Sequence, residues 1–278
     1  MNSHILLIDC RDAKGLISKI TAALLKHNVN IESNDEFVDR LNDRFFMRTE
    51  FDGDFDSGLL YDDIKSILPE DANVKLAGKR KKNIVIMSTK EHHCIGDILI
   101  RNMFNDLNAN ILAVISNHTV LKELTEKMNV PFHYISHENL SRDEHEKKVL
   151  NVIEQYKPEY MVLAKYMRIL TPEFTEKFKN RIINIHHSFL PAFVGANPYL
   201  QAYERGVKII GATAHFVNQN LDEGPIIYQD VTHVNHKMDS VDMAQAGRDV
   251  EKVVLTKAMQ LIFNDRVMVN GNKTIIFN

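Results

Sequence analysis

The chain predicts two α/β domains in series: a ferredoxin-like βαββαβ plait, then a doubly wound, mostly parallel, Rossmann-like sheet. Three observations predict this. Residues 4–76 order as strand, helix, two strands joined by a tight turn, helix and strand. Gly78-Lys79-Arg80-Lys81-Lys82 then breaks the apolar pattern with a basic run that reads as a solvated linker. Beyond it, short apolar runs alternate with helical periodicity, the pattern of a parallel sheet faced by helices. The expected domains are 1–77 and 83–278, joined by 78–82.

In the first domain a strand from His4 to Asp9 reaches the turn Asp12-Ala13-Lys14-Gly15, where glycine tolerates a conformation other residues avoid. Leu16, Ile20, Ala23 and Leu24 recur on one helical face. A strand opens at Val29-Asn30-Ile31 and runs to Asp39; Leu41-Asn42-Asp43 turns it, and Phe45–Phe51 pairs back. A helix over Ser57–Leu68 ends at Pro69, and Asn73–Leu76 is the last strand.

In the second domain, strands are predicted at Ile84–Met87, Ile111–Ile115, Phe132–Ile135, Met161–Ala164, Ile182–Ile185 and Ile209–His215. Helices are predicted at Ile95–Asn105, Val120–Met128, Arg142–Tyr156 and Pro172–Phe178, and a final one at Val241–Phe263 with Ser240 as N-cap. Asn270-Gly271-Asn272 is a hairpin turn between two closing strands.

Composition narrows the function class. Of 278 residues 44% are hydrophobic and 26% charged, as in ordinary globular proteins. The net charge of −3 is of mixed sign, which argues against a nucleic-acid surface. Cys10 and Cys94 lie far apart, so no disulfide framework is expected, and a reducing cytoplasm is the expected location. No apolar run reaches membrane-spanning length and the N-terminus does not read as a signal peptide.

The chemistry concentrates in Ile183-Asn184-Ile185-His186-His187-Ser188-Phe189-Leu190-Pro191 and Leu221-Asp222-Glu223-Gly224-Pro225. Asn184 and His186 alternate with isoleucines, so on a strand they share a face. An amide donor, an imidazole and a carboxylate at one sheet rim suit attack on a carbonyl-like carbon. Asn184 could donate to an oxygen gaining charge. Asp222 could favour the His186 imidazolium or take a proton from water. His187 should point to the other face. No metal is expected: His186, His187, His215, His233 and His236 complete no zinc spacing, and His92-His93-Cys94 lacks further ligands in order.

With Gly211-Ala212-Thr213-Ala214-His215 between them, these motifs resemble the folate-dependent formyltransferase and formyl-hydrolase family. The resemblance implies Asn184, His186 and Asp222 as the catalytic trio. It also implies that Met167, Arg168, Ile169, Leu170, His187, Ser188, His215, Val217, Leu221 and Gly224 line the substrate site. Pro191–Gly195 would form a loop over the cleft. Asp12-x-x-Gly15-Leu16 and Asn28-Val29-Asn30-Ile31 resemble the ACT regulatory domain. That implies an amino-acid effector held by Asp12, Gly15, Leu16, Asn28, Asn30 and Ile31, and a homo-oligomer.

Transferases to glycinamide ribonucleotide carry a glycine-rich phosphate loop after the first strand of this domain. Here the loop reads Ser88-Thr89-Lys90-Glu91-His92-His93-Cys94-Ile95-Gly96, without paired glycines and with Glu91 where an anion would sit. This form of the loop, behind an ACT-like domain, resembles the formyltetrahydrofolate deformylases. The resemblance implies hydrolysis of 10-formyltetrahydrofolate to formate and tetrahydrofolate, with formate supplied to purine synthesis, one-carbon folate pools balanced, and no cofactor. Asn197 and Leu200 depart from that pattern, which usually has a basic residue and histidine there. Transfer to an amine and a non-catalytic folate or amino-acid sensor are the alternatives.

Overall fold

The computed structural model describes residues 3–192 and 198–277. The chain divides into two compact units.

The first unit is built on β1 (His4–Arg11), α1 (Leu16–Lys26), β2 (Asn30–Asp39), β3 (Arg44–Asp52), α2 (Ser57–Ile67) and β4 (Asn73–Gly78). Its antiparallel sheet has the order β2-β3-β1-β4, the expected plait. Gly15 takes a left-handed φ of 84° directly before α1. The Asp56 carboxylate caps α2 by accepting from the amides of Gly58 and Leu59. Leu6, Ile8, Leu16, Ile20, Leu24, Phe45, Met47, Phe51, Leu60 and Ile64 pack the helices onto one sheet face.

The second unit continues with β5 (Lys82–Ser88), α3 (His93–Met103), β6 (Ala109–Ser116), α4 (Lys122–Lys127), β7 (Phe132–Tyr134), α5 (Arg142–Tyr156), β8 (Tyr160–Ala164), α6 (Pro172–Lys177), β9 (Ile182–His186), α7 (Pro198–Arg205), β10 (Ile209–Phe216), β11 (Ile226–His233) and α8 (Ser240–Phe263). The seven-stranded sheet has the order β11-β10-β9-β8-β5-β6-β7. β7, β6, β5, β8 and β9 are parallel; β10 runs antiparallel to both β9 and β11. The strand order turns around between β5 and β8, and open α/β sheets bind ligands in the crevice at that switch point. β12 (Val267–Asn270) and β13 (Lys273–Ile276) close the hairpin, with Gly271 at φ 60°.

Four expectations need correction. The domain boundaries shift, because the first unit comprises Met1–Arg80 together with Asn264–Met268 and Ile275–Asn278. Arg48, 1% exposed, holds the returning segment by donating from Nε to the Asp265 carbonyl at 3.1 Å. Residues 83–278 are therefore not one domain. The linker is also shorter than 78–82: Gly78 ends β4, and Lys82 opens β5 and is buried. The α8 cap is Asp239, not Ser240, since its carboxylate accepts from the amides of Val241 and Asp242. Finally, α7 and β11 were not expected. Pro191 and Pro198 interrupt the pattern leading into α7, and Ile226–His233 is a partly exposed edge strand whose apolar run is broken by Gln229 and Asp230.

Candidate active site

β9 and β10 assemble the centre. Their antiparallel register sets Asn184 opposite His215 and His186 opposite Thr213, so the four polar side chains share one face. A register shift in the β10–β11 pairing falls between Ala214 and His215; bulges of this kind re-aim a side chain beside functional sites. Asp222 comes from the turn between β10 and β11 with a left-handed φ of 57°. Gly224 makes that turn possible, because a Cβ there would lie 1.7 Å from the Phe216 carbonyl oxygen. The glycine serves chain geometry and does not line the main cleft.

The hydrogen bonds fix the proton positions. His215 Nδ1 lies 2.9 Å from the Phe216 carbonyl, which can only accept, so Nδ1 carries the proton. Its Nε2 then accepts from the Asn184 amide at 3.1 Å, and the second amide hydrogen of Asn184 is left for a ligand. His186 Nδ1 lies 3.2 Å from Asp222 Oδ2, while His215 Nε2 stands 3.6 Å from Oδ1. Burial would raise the Asp222 carboxyl, but hydrogen bonding and positive charge from His186, with His215 beside it, hold it well below the usual carboxylate range. The His186 Nε2 atom is buried and has no hydrogen-bond partner among the described residues. It is the open hydrogen-bonding position of the trio.

These groups lie in a cleft of about 270 Å³ lined by Lys165–Leu170, Asn184–His187, His215 and Val217–Asp222. Met167, Ile169 and Leu221 leave 64%, 50% and 60% of their surface exposed at its rim, apolar area suited to a flat ring system. The rim loop has a fixed shape. Lys165 and Met167 take left-handed φ values of 60° and 51°, which costs about 1 kcal/mol or more each for residues with a Cβ. Thr89 Oγ1 anchors one end by donating to the Lys165 carbonyl at 2.8 Å. Buried Glu146 anchors the other by accepting from the Thr171 amide at 2.8 Å.

The structure thus gathers Asn184, His186, Asp222, Met167, Arg168, Ile169, Leu170, His187, His215, Val217 and Leu221 around one cleft. Ser188 sits behind it, its carbonyl accepting from Thr213 Oγ1. His187 stacks on His186 with ring centroids 5.1 Å apart. Burial, together with the charges of Lys165 and His186, lowers its pKa to about 4, so it stays neutral. Of the expected cleft loop, Pro191 and Ala192 are exposed, while Phe193–Gly195 and Asn197 lie outside the described residues. Leu200 falls on α7.

Sequence reasoning missed two sets. Asn218, Gln219 and Asn220 line the cleft as part of the Asp222 turn; the polar run before the motif was their signal. The second set is a buried network: Glu251 of α8 bonded to His93, Lys165 and Tyr199. Its members are scattered along the chain, and no local pattern links them. His93, Cys94 and Glu251 also bring potential metal-ligand atoms within 4.8 Å of one another. However, Glu251 is already neutralised by Lys165 at 3.2 Å, and burial, with the Glu251 charge, keeps the Cys94 thiol protonated.

The expected effector residues do not converge within one chain. Asp12–Leu16 and Asn28–Ile31 lie at opposite ends of the 11-residue α1, roughly 16 Å apart. Leu16 is 4% exposed and belongs to the core.

Comparison with known proteins agrees with this architecture. The family model described as "Formyl transferase" matches residues 82–259, and the ACT domain model matches residues 4–69. A Haemophilus influenzae protein named formyltetrahydrofolate deformylase is 56% identical over 276 residues, 99% of each chain. The crystal structure of a formyltetrahydrofolate deformylase from Pseudomonas syringae superposes with a TM-score of 0.96 at 38% identity, covering 100% of this chain and 95% of that one. Glycinamide ribonucleotide transformylase 1 from Symbiobacterium toebii matches 71% of this chain, and 95% of its own, at TM-score 0.68 and 27% identity. The ACT-like unit, the formyl transferase unit and end-to-end similarity at this level mean that the chain belongs to the formyltetrahydrofolate deformylase family.

Proposed function

We propose that this chain hydrolyses 10-formyltetrahydrofolate to formate and tetrahydrofolate. The observation that carries the reading is the trio itself: a charged Asp222 bonded to His186, whose buried Nε2 has no partner among the described residues, beside an Asn184 amide with one hydrogen not used by His215. The pterin ring lies between the apolar rim side chains, its edge bonded by backbone groups of the Lys165–Leu170 loop. The formyl oxygen sits between Asn184 Nδ2 and His186 Nε2. Water bound at Asp222 Oδ1 gives a proton to the carboxylate as its oxygen bonds to the formyl carbon. The resulting oxyanion is held by the two donors, an arrangement typically contributing roughly 3–4 kcal/mol per donor to the lowering of the barrier. The proton then passes through the Asp222–His186 pair to N10 as the carbon–nitrogen bond breaks. The chain's own residues supply each of these functions. Formate released in this way feeds purine synthesis, with the free folate returned to the one-carbon pool.

Purified protein incubated with 10-formyltetrahydrofolate should give formate and tetrahydrofolate in equal amounts with no amine present. Absence of formate would sink the reading.

The ACT unit, in the same proposal, binds a small amino acid between two copies of the chain, because Asp12–Leu16 and Asn28–Ile31 lie at opposite ends of α1 and can meet only across a pair. A carboxylate suits the backbone amides at the start of α1. Exposed Phe37 and Val38 on edge strand β2 give that unit an apolar margin for a second copy. Titration calorimetry against the common amino acids should show heat with at least one of them, and light scattering should report an oligomer; no heat with any would leave the unit an assembly module. Location in a reducing cytoplasm fits buried free thiols at Cys10 and Cys94. No helix among the described residues is long and apolar enough to cross a membrane.

A further inference from the structure

The fold leaves the choice of formyl acceptor open, since a transformylase shares the second unit's architecture. Side chains must make that choice. A second substrate would enter beside the trio, along the crevice at the carboxyl ends of β5 and β8.

That crevice is filled by polar side chains bonded to one another. Glu251 of α8 is 1% exposed. Its Oε2 accepts from His93 Nε2 at 2.8 Å and from Lys165 Nζ at 3.2 Å, and its Oε1 from the Tyr199 hydroxyl at 2.6 Å. The four groups come from four places: the start of α3, the end of β8, α7 and α8. One turn before Glu251, Gly247 presents the same helix face. A Cβ at 247 would meet the Tyr199 oxygen at 2.1 Å, so glycine there is what lets Tyr199 reach the carboxylate. Thr89 at the end of β5 ties in through the Lys165 carbonyl. Lys165 also lines the catalytic cleft together with Asn184 and His186.

We propose that the Lys165–Glu251 pair, braced by His93 and Tyr199, restricts the formyl acceptor to water by filling the crevice through which an amine would reach the trio. The bonded side chains occupy the space an amine-bearing substrate needs, and their donors and acceptors are already spent on one another, so an entering amine finds neither room nor a free hydrogen-bond partner. Water needs no such space. In the reaction that is suppressed, the amine nitrogen would bond to the formyl carbon and lose a proton to Asp222. The bond from that carbon to N10 would break, and N10 would take the proton.

This inference deepens the hydrolytic reading and rests on it. The test uses the full chain with 10-formyltetrahydrofolate carrying ¹³C in the formyl group, plus glycinamide, and follows formate and N-formylglycinamide by NMR. The variant is Lys165→Met with Glu251→Gln, which removes both charges together and leaves no carboxylate uncompensated. Wild type should release formate and little else; the double variant should raise the formylglycinamide share by about tenfold or more. A folded double variant that still releases formate, with a formylglycinamide share equal to that of wild type, overturns the proposal. Where that variant is unfolded or inert, Tyr199→Phe removes one brace without changing charge. It should move the same ratio upward, and an unmoved ratio overturns the proposal equally. Wild type that releases no formate would instead overturn the hydrolytic reading on which the proposal stands.

Discussion

Asp222→Asn should lower the rate of formate release by roughly 10²–10⁴-fold, the range for loss of a general base, while folate affinity stays near that of wild type. The substitution keeps the side chain's size and removes its charge. Without the carboxylate, His186 Nδ1 has no anion 3.2 Å away and nothing accepts the proton of the attacking water. Binding should survive, because on the proposed reading the folate ring meets Met167, Ile169, Leu221 and the backbone of the Lys165–Leu170 loop, which line the cleft and which Asn at 222 leaves in place. Single-turnover rates at saturating folate, set beside a direct binding titration, separate the two quantities. Near-normal turnover in the variant would make the carboxylate structural and end this mechanism. The pH behaviour is a second check. Against its burial, hydrogen bonding and positive charge from His186 hold the folded carboxyl below the usual 3.8, so Asp222 stays charged through mildly acid conditions and sets no acid limb of the rate. By linkage, a depressed carboxyl contributes stability that is present above its unfolded value and lost as pH falls through the folded one. The Asn variant should therefore be less stable than wild type at neutral pH, with the difference closing as pH drops below 3.8.

Asn184→Ala should slow the chemical step by roughly 10²–10³-fold, the cost of one oxyanion donor. In the proposed mechanism, the amide hydrogen left over from the His215 bond is the group that meets the formyl oxygen as it gains charge. This donor does not titrate, so the pH profile should keep its shape while the whole curve drops. That separates it from Asp222, whose loss changes both rate and proton handling. Removing Asn184 also leaves His215 Nε2 without its donor, so alanine should cost a small amount of stability as well, read from the thermal midpoint. A rate within threefold of wild type would place the oxyanion elsewhere.

Much of this was legible in the chain because periodicity reports directly on local structure. The alternation Ile183-Asn184-Ile185-His186 is a strand pattern whatever lies around it, so these two side chains share a face from sequence alone. Arg142–Tyr156 shows as a helix because Ser141 and Glu144 form a capping box and Val149 and Ile153 turn to the core. The paired domains and the β12–β13 hairpin follow from the same local rules.

What the sequence could not carry is everything that depends on pairing between distant segments. Register sets His215 opposite Asn184, and no local feature encodes which residue a strand faces across a sheet. Gly224 looks like a binding residue in its motif, but it is needed because the Phe216 carbonyl passes where a Cβ would be. The return of Asn264–Met268 to the first unit depends on a buried Arg48 more than 200 positions earlier. The Glu251 network is the extreme case, with four polar residues each unremarkable in its own helix or strand. Local propensity and motif order by themselves determined the two α/β units and which polar residues, Asn184, His186 and Asp222, come together at one sheet rim. The tertiary structure alone decided which charges are buried together beside that trio, because a buried charge persists only where distant partners supply its hydrogen bonds and its counter-charge.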